Sequence, residues 1–139
     1  MSIRHFHLRL QATYEDDKNS VGELLVEVEG KSGWEVLDLD VRAPGFLLFI
    51  YGIFSCQHLY MRTNCAECNL LLKSAEGELR VEADENWIIQ HAEVSFQAEL
   101  KSGQPSEKDI AYIKERMHHC PVSSNLPVSL RLENRVIFS

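Results

Sequence analysis

Arg42-Ala43-Pro44-Gly45, followed by FLLFIYGIFSCQHLYMRT over residues 46–63, is the stretch that decides how this chain folds. Pro44 suits the start of a helix, because its fixed φ is already helical and its missing N–H would be unpaired there anyway. From Phe46 to about Thr63 the sequence is apolar on nearly every side, and a helix of that kind is a buried one. The expectation is a central helix covered by sheet. Helical spacing puts Phe49, Ile53, Cys56 and Tyr60 on one stripe.

Strand patterns lie on both sides. Phe6, Leu8, Leu10 and Ala12 alternate with His5, His7, Arg9 and Gln11, the period of a half-buried strand. The polar run Tyr14 to Ser20 reads as a hairpin loop, and Leu24, Val26 and Val28 mark the second strand. Gly30-Lys31-Ser32-Gly33 is a turn, and Trp34 to Val41 reads as a third strand. After the helix, Leu70 to Leu100 returns to strand character, with turns expected at Gly77 and at Asp84-Glu85-Asn86. Ser106 with Asp109 three residues later is a helix start. That helix puts Ile110, Ile113, Met117 and Cys120 on one face and ends at Pro121. A last strand runs from Val128 through Leu132, with Val136 to Phe138 closing the chain. The class is α+β, with residues 1–139 as a single domain.

The 139 residues are 45% apolar and 25% charged, with a formal net charge of −7. A chain this long buries enough surface to fold without disulfides or a metal. The acidity argues against nucleic acid, since phosphate binding needs a basic face. The N-terminus shows no signal-peptide pattern, and Phe46 to Phe54 is too short to span a bilayer. The expected setting is cytoplasmic, where thiols stay reduced and four cysteines read as catalytic, metal-binding or inert.

Cys120-Pro121-Val122-Ser123 is the most informative of the cysteine contexts. Pro121 ends one helix and is well placed to open a short new one, with Cys120 at its N-cap. Backbone N–H groups there favour a thiolate, and His118 or His119 is available as a further donor. Two readings stand side by side: an activated thiolate, or an inert cysteine at a helix junction. Cys56, inside the apolar helix, reads alone as a raised, inert thiol. Cys65 and Cys68 form a Cys-x-x-Cys near a helix end, without the second ligand pair a zinc site needs. His5, His7, His58 and His91 are isolated and read as ordinary strand or helix positions. No metal site, phosphate loop or cofactor motif stands out.

Taken together, Pro44-x-x-Leu47-Leu48, Cys56 within the central helix, Cys120-Pro121-Val122-Ser123 and the 64-residue separation of the two cysteines give a resemblance. The chain resembles the osmotically inducible protein C and organic hydroperoxide resistance (OsmC/Ohr) family over nearly its whole length. The resemblance implies antiparallel sheets wrapped around a buried central helix in an intertwined homodimer, with active sites at the subunit interface. It implies a thiol-dependent peroxidase acting on organic hydroperoxides. Cys56 would be the peroxidatic thiol and Cys120 the resolving one, and a dithiol reductant would reopen their disulfide.

Two departures stand out. The family's helix-start Glu is replaced by Gly45 and Phe46. The hairpin loop where the family carries an activating Arg reads Glu15-Asp16-Asp17-Lys18. Lys18 lacks the planar fork of Arg; it and Arg42 are the candidate replacement cations. Two other functions are consistent with the same sequence: a non-enzymatic protein binding a hydrophobic small molecule at the dimer interface, and a thiol redox sensor.

Overall fold

The computed structural model describes residues 2–139, with the backbone alone at Arg131. In chain order the elements are β1 (Arg4–Glu15), β2 (Ser20–Gly30), β3 (Gly33–Val36), α1 (Gly45–Glu67), β4 (Leu71–Ala83), β5 (Ile89–Ser102), α2 (Glu107–His118), a 3₁₀ turn (Ser123–Asn125) and β6 (Arg131–Phe138). The strands form one six-stranded sheet in the order β3-β2-β1-β4-β5-β6. Five strands run antiparallel in succession, and β6 joins β5 in parallel. The fold is α+β, but as one mixed sheet rather than the purely antiparallel sheets expected. The parallel pair follows from the connection. A strand returning beside its predecessor in the same direction needs a crossover, and α2 supplies it.

Both helices pack on one face of this sheet. Leu8 and Leu10 of β1, Leu79 and Val81 of β4, and Val94 and Phe96 of β5 alternate onto that face and are buried. They meet Ile50, Ile53, Phe54 and Met61 of α1, and Ile113 and Met117 of α2. Each fully buried side chain of this size contributes about 1.5–3 kcal/mol. The opposite face carries the charged half of the alternation, including the Arg9–Glu27 ion pair at 2.8 Å.

The central helix is covered by sheet, as expected, but on one side. Two helices on one side of a single sheet leave their outer surfaces free, and Phe49 is 48% and Leu59 41% exposed. Among the described residues, no helix is long and apolar enough to cross a membrane.

Other boundaries moved for identifiable reasons. β3 stops at Val36, because only four residues pair with β2. β6 begins at residue 131, and Val128, expected within it, is fully exposed. α1 runs past Thr63 to Glu67, with Cys68 at its C-cap. Gly77 is no turn. It lies mid-strand in β4 opposite Phe96, where a Cβ would come within 2.7 Å of the Phe96 ring. The residue makes room for an aromatic ring and does not bend the chain.

The β1–β2 turn is held to α1 by Asn19, which is fully buried. Its amide donates to the carbonyls of Arg62 and Leu70, both at 3.0 Å, and its Oδ1 accepts from Leu72 N at 2.9 Å. This fixes the C-terminal end of α1 against the sheet. The α2 start is the expected capping box: Asp109 N donates to Ser106 Oγ at 3.0 Å, and Ser106 N to Asp109 Oδ2 at 3.1 Å.

Candidate functional site

Cys56 sits on α1 and is half-buried, while Cys120 lies two residues past α2 and is fully buried. Packing of α2 beside α1 brings Cys120 Sγ to 3.4 Å from the side chain of Gln57, the neighbour of Cys56, so that each thiol acts on the other's ionisation, and both are free. The Cys56 thiol is pushed up to about 11, chiefly by burial and then by its hydrogen bond to Cys120. The Val122 N–H acts the other way. At Cys120 burial opposes ionisation, but donors outweigh it. Cys56, the Ser123 hydroxyl, the Ser123 N–H and Gln57 together hold this thiol below its ordinary range.

Cys120 is not the N-cap expected from the Pro121 context. The short helix begins at Ser123, with Val122 rather than Cys120 as its N-cap. Residues 121 and 122 form a turn first, and it curls the backbone so that the Ser123 N–H still reaches Cys120 Sγ, at 3.4 Å. The histidines do not reach it. His119 Nδ1 is 2.9 Å from the Glu115 carbonyl and 3.3 Å from the Glu115 carboxylate, on the surface. His118 borders a shallow groove shared with Ser123 and makes no hydrogen bond to either sulfur.

Three site residues went unassigned in the sequence. Gln57, fully buried, donates to the Met117 carbonyl at 2.7 Å and to Ser123 Oγ at 2.9 Å, and lies 3.4 Å from Cys120 Sγ. Ser123 Oγ is 3.1 Å from Cys120 Sγ. Asn134 of β6 stands behind, its amide donating to Gln57 Oε1 at 3.5 Å and to the Lys114 carbonyl at 3.4 Å. One signal was available: Gln57 is an uncharged polar residue on the inward face of an apolar helix, and such a group must find partners.

An apolar groove of about 480 Å³ opens beside the pair, lined by Leu48, Phe49, Gly52, Val122 and Leu126. Gly52 is one helical turn before Cys56, and a Cβ there would meet nothing. Of the expected stripe, Ile53 is buried in the core and Phe49 stands exposed in the groove lining. No cation acts on either sulfur among the described residues. Arg42 is paired with Asp40 on the surface. Lys18 sits in the β1–β2 turn, where its N–H donates to Asp16 Oδ1 at 2.8 Å.

Cys65 and Cys68 lie at the far end of α1. Cys65 is fully buried, pushed up to about 12 by burial and by Cys68, with its sulfur 3.9 Å from Met61 Sδ. Cys68 is raised by burial first and by Asp109 next. His91, Glu93 and Glu133 on the outer sheet face bring ligand atoms within 4.8 Å of one another, and neither cysteine is part of that group.

His58 is not isolated as expected. Its Nε2 lies 2.6 Å from the Tyr14 hydroxyl, and its ring packs against Phe96. Burial, helped by Arg62, lowers His58 to about 4, while burial raises Tyr14. Both groups are therefore held neutral and share one hydrogen bond.

No protein-family model matches the chain, and no curated protein matches it significantly. Solved structures do. An OsmC-like protein from Mycoplasma pneumoniae superposes with a TM-score of 0.56 at 13% identity, covering 93% of this chain and 94% of that one. An OsmC-like hydroperoxide resistance protein from Jannaschia sp. CCS1 gives 0.52 at 20% identity, covering 87% and 85%. An OsmC-like protein of unknown function from Vibrio cholerae gives 0.52 at 12% identity, covering 94% and 98%. The chain has the OsmC-like fold.

Proposed function

We propose that this chain is an OsmC-like, thiol-dependent peroxidase that reduces organic hydroperoxides through Cys56 and Cys120 and works as a homodimer. One observation carries the reading. Two cysteines 64 residues apart in sequence, on different elements, are brought together beside an apolar groove, with Cys120 Sγ 3.4 Å from the side chain of Gln57, the residue after Cys56. Cys56 borders solvent and attacks the hydroperoxide oxygen, giving an alcohol and a cysteine sulfenic acid. Cys120 then attacks the Cys56 sulfur to form the disulfide, which a dithiol reductant reopens. The groove lining suits an alkyl or aryl hydroperoxide better than hydrogen peroxide, since apolar walls gain from covering apolar substrate. The dimer is supported by the exposed apolar side of α1, where Phe49 and Leu59 face outward.

A second reading has its own support. Among the described residues no cation acts on Cys56, and its thiol is raised rather than lowered. A protein that only binds a hydrophobic small molecule in the groove would need neither. Stopped-flow mixing of the reduced protein with cumene hydroperoxide and with hydrogen peroxide, followed by mass mapping of the cysteines, separates the two. A Cys56–Cys120 disulfide formed faster with cumene hydroperoxide is expected. Thiols that stay reduced in excess hydroperoxide would favour the binding protein.

A further inference from the structure

The hydrogen bonds around Cys120 have a forced direction. The Met117 carbonyl can only accept, so the Gln57 atom 2.7 Å from it is the amide nitrogen. The Gln57 amide therefore cannot be flipped, and its second hydrogen points at Ser123 Oγ and Cys120 Sγ. Asn134 donates to Gln57 Oε1 and holds the same orientation from behind. Because Ser123 Oγ accepts from Gln57, its own hydrogen is free to donate to Cys120 at 3.1 Å. The Ser123 N–H adds a further donor. Each of these groups thus offers the Cys120 sulfur a hydrogen bond, and Cys56 is the other thiol that acts on it.

We propose that Gln57 is a positioning residue that makes Cys120 the proton acceptor of the pair, so that Cys120 is the base for Cys56 as well as its resolving partner. The oxidation step of this proposal rests on the peroxidase reading; the order of ionisation does not. Cys56–SH passes its proton to the Cys120 thiolate as the Cys56 sulfur attacks the hydroperoxide oxygen. The O–O bond breaks, and the departing alkoxide takes that proton from Cys120 and leaves as alcohol. Cys120, again a thiolate, attacks the sulfenic sulfur and expels hydroxide. In sum, one thiol, one thiolate and one hydroperoxide give one disulfide, one alcohol and one hydroxide. The groups facing the pair from α1, from α2 and from β6 are Gln57, the Met117 carbonyl and Asn134, with Ser123 and the Val122 N–H from the turn. All are neutral, so among the described residues no charged side chain competes for the proton.

The Cys120→Ser variant tests the base role. A partner that only resolves leaves the first oxidation of Cys56 at the wild-type rate. A base that is lost slows sulfenic acid formation by about a hundredfold or more, measured by single-turnover trapping of the sulfenate. Thiolate absorbance, titrated as the difference between wild type and Cys120→Ser, reports ionisation without any peroxide. The expected result is one thiolate on Cys120 below the ordinary thiol range. Its midpoint rises by about one pH unit or more in Gln57→Met, which removes the donor and keeps the volume. Ser123→Ala, in a turn, serves as the second variant and moves the midpoint the same way. Wild-type sulfenate formation in Cys120→Ser would overturn the base role. A thiolate on Cys56, or a midpoint unmoved by both donor variants, would overturn the proposal whatever the peroxide result. No oxidation by hydroperoxide, with a Gln57-dependent thiolate on Cys120, would sink the peroxidase reading while supporting the ionisation order.

Discussion

Acid should loosen this protein through one identifiable residue, His58. Its imidazole is buried between Tyr14 and Phe96 and is lowered from 6.5 to about 4, first by burial and then by Arg62. The unfolded chain therefore binds a proton at His58 where the folded chain does not. Stability from the neutral imidazole is complete above about pH 6.5 and is lost as pH falls toward 4, where the folded form also protonates. A shift of roughly 2.5 units at about 1.36 kcal/mol each makes the full loss about 3 kcal/mol. That is a large share of the 5–15 kcal/mol typical of a domain. Urea unfolding of the wild type and of His58→Gln, at fixed protein concentration from pH 7 to pH 4, measures it. Gln keeps an acceptor for the Tyr14 hydroxyl but does not titrate, so other groups cancel in the comparison. Wild-type stability should fall more steeply than the variant's by about 1.4 kcal/mol per pH unit. Parallel curves would show that His58 is not held neutral and that the Tyr14–His58 pair is misread.

Three further outcomes follow from the same geometry. Cys56→Ser should abolish disulfide formation with cumene hydroperoxide, while Cys65→Ser should leave it unchanged, as mass mapping will show. Light scattering at micromolar concentration should give twice the 16.0 kDa chain mass, and Leu59→Glu on the exposed side of α1 should shift it toward monomer. Gly77→Ala should cost about 1–3 kcal/mol in urea unfolding by driving a methyl group into the Phe96 ring; a neutral result would mean that Phe96 has room to move.

The order of elements was legible because periodicity changes sharply along this chain. Val94, Phe96 and Ala98 alternate, and Ile113 and Met117 recur at helical spacing. Cysteine positions were legible for the same reason, since Cys56 falls inside an apolar helix and Cys120 just after an amphipathic one. Gly77 misled because a residue without a side chain signals a turn and a tight packing site with the same letter. Only its cross-strand neighbour Phe96 tells them apart. The exposed side of α1 misled in another way. Composition tells that a face is apolar, but not whether this chain covers it. Gln57 was missed because its partners come from three distant segments, Met117, Ser123 and Asn134. No local pattern encodes a convergence of that kind.

Among the described residues no cation stands at the thiols, and this sets how fast the proposed chemistry can run. With a pKa of about 11, raised by burial and by Cys120 itself, Cys56 is a thiolate about one time in ten thousand at pH 7, against nearly always for an activated thiol with a pKa near 5. The more basic thiolate is intrinsically the better nucleophile. With a Brønsted slope of about 0.45, six units return a factor of about 500. The net deficit is about twentyfold, a slowing and not a loss. A neighbouring thiolate reduces the deficit further, because the proton moves only as the sulfur attacks and never has to be lost to water. Neutral donors are sufficient for that arrangement. They place the single charge of the pair on the buried sulfur, Cys120, and leave the proton on the less buried one, Cys56. A guanidinium there would need its own desolvation beside apolar walls formed by Leu48, Phe49 and Val122. An amide locked by the Met117 carbonyl and by Asn134 does not.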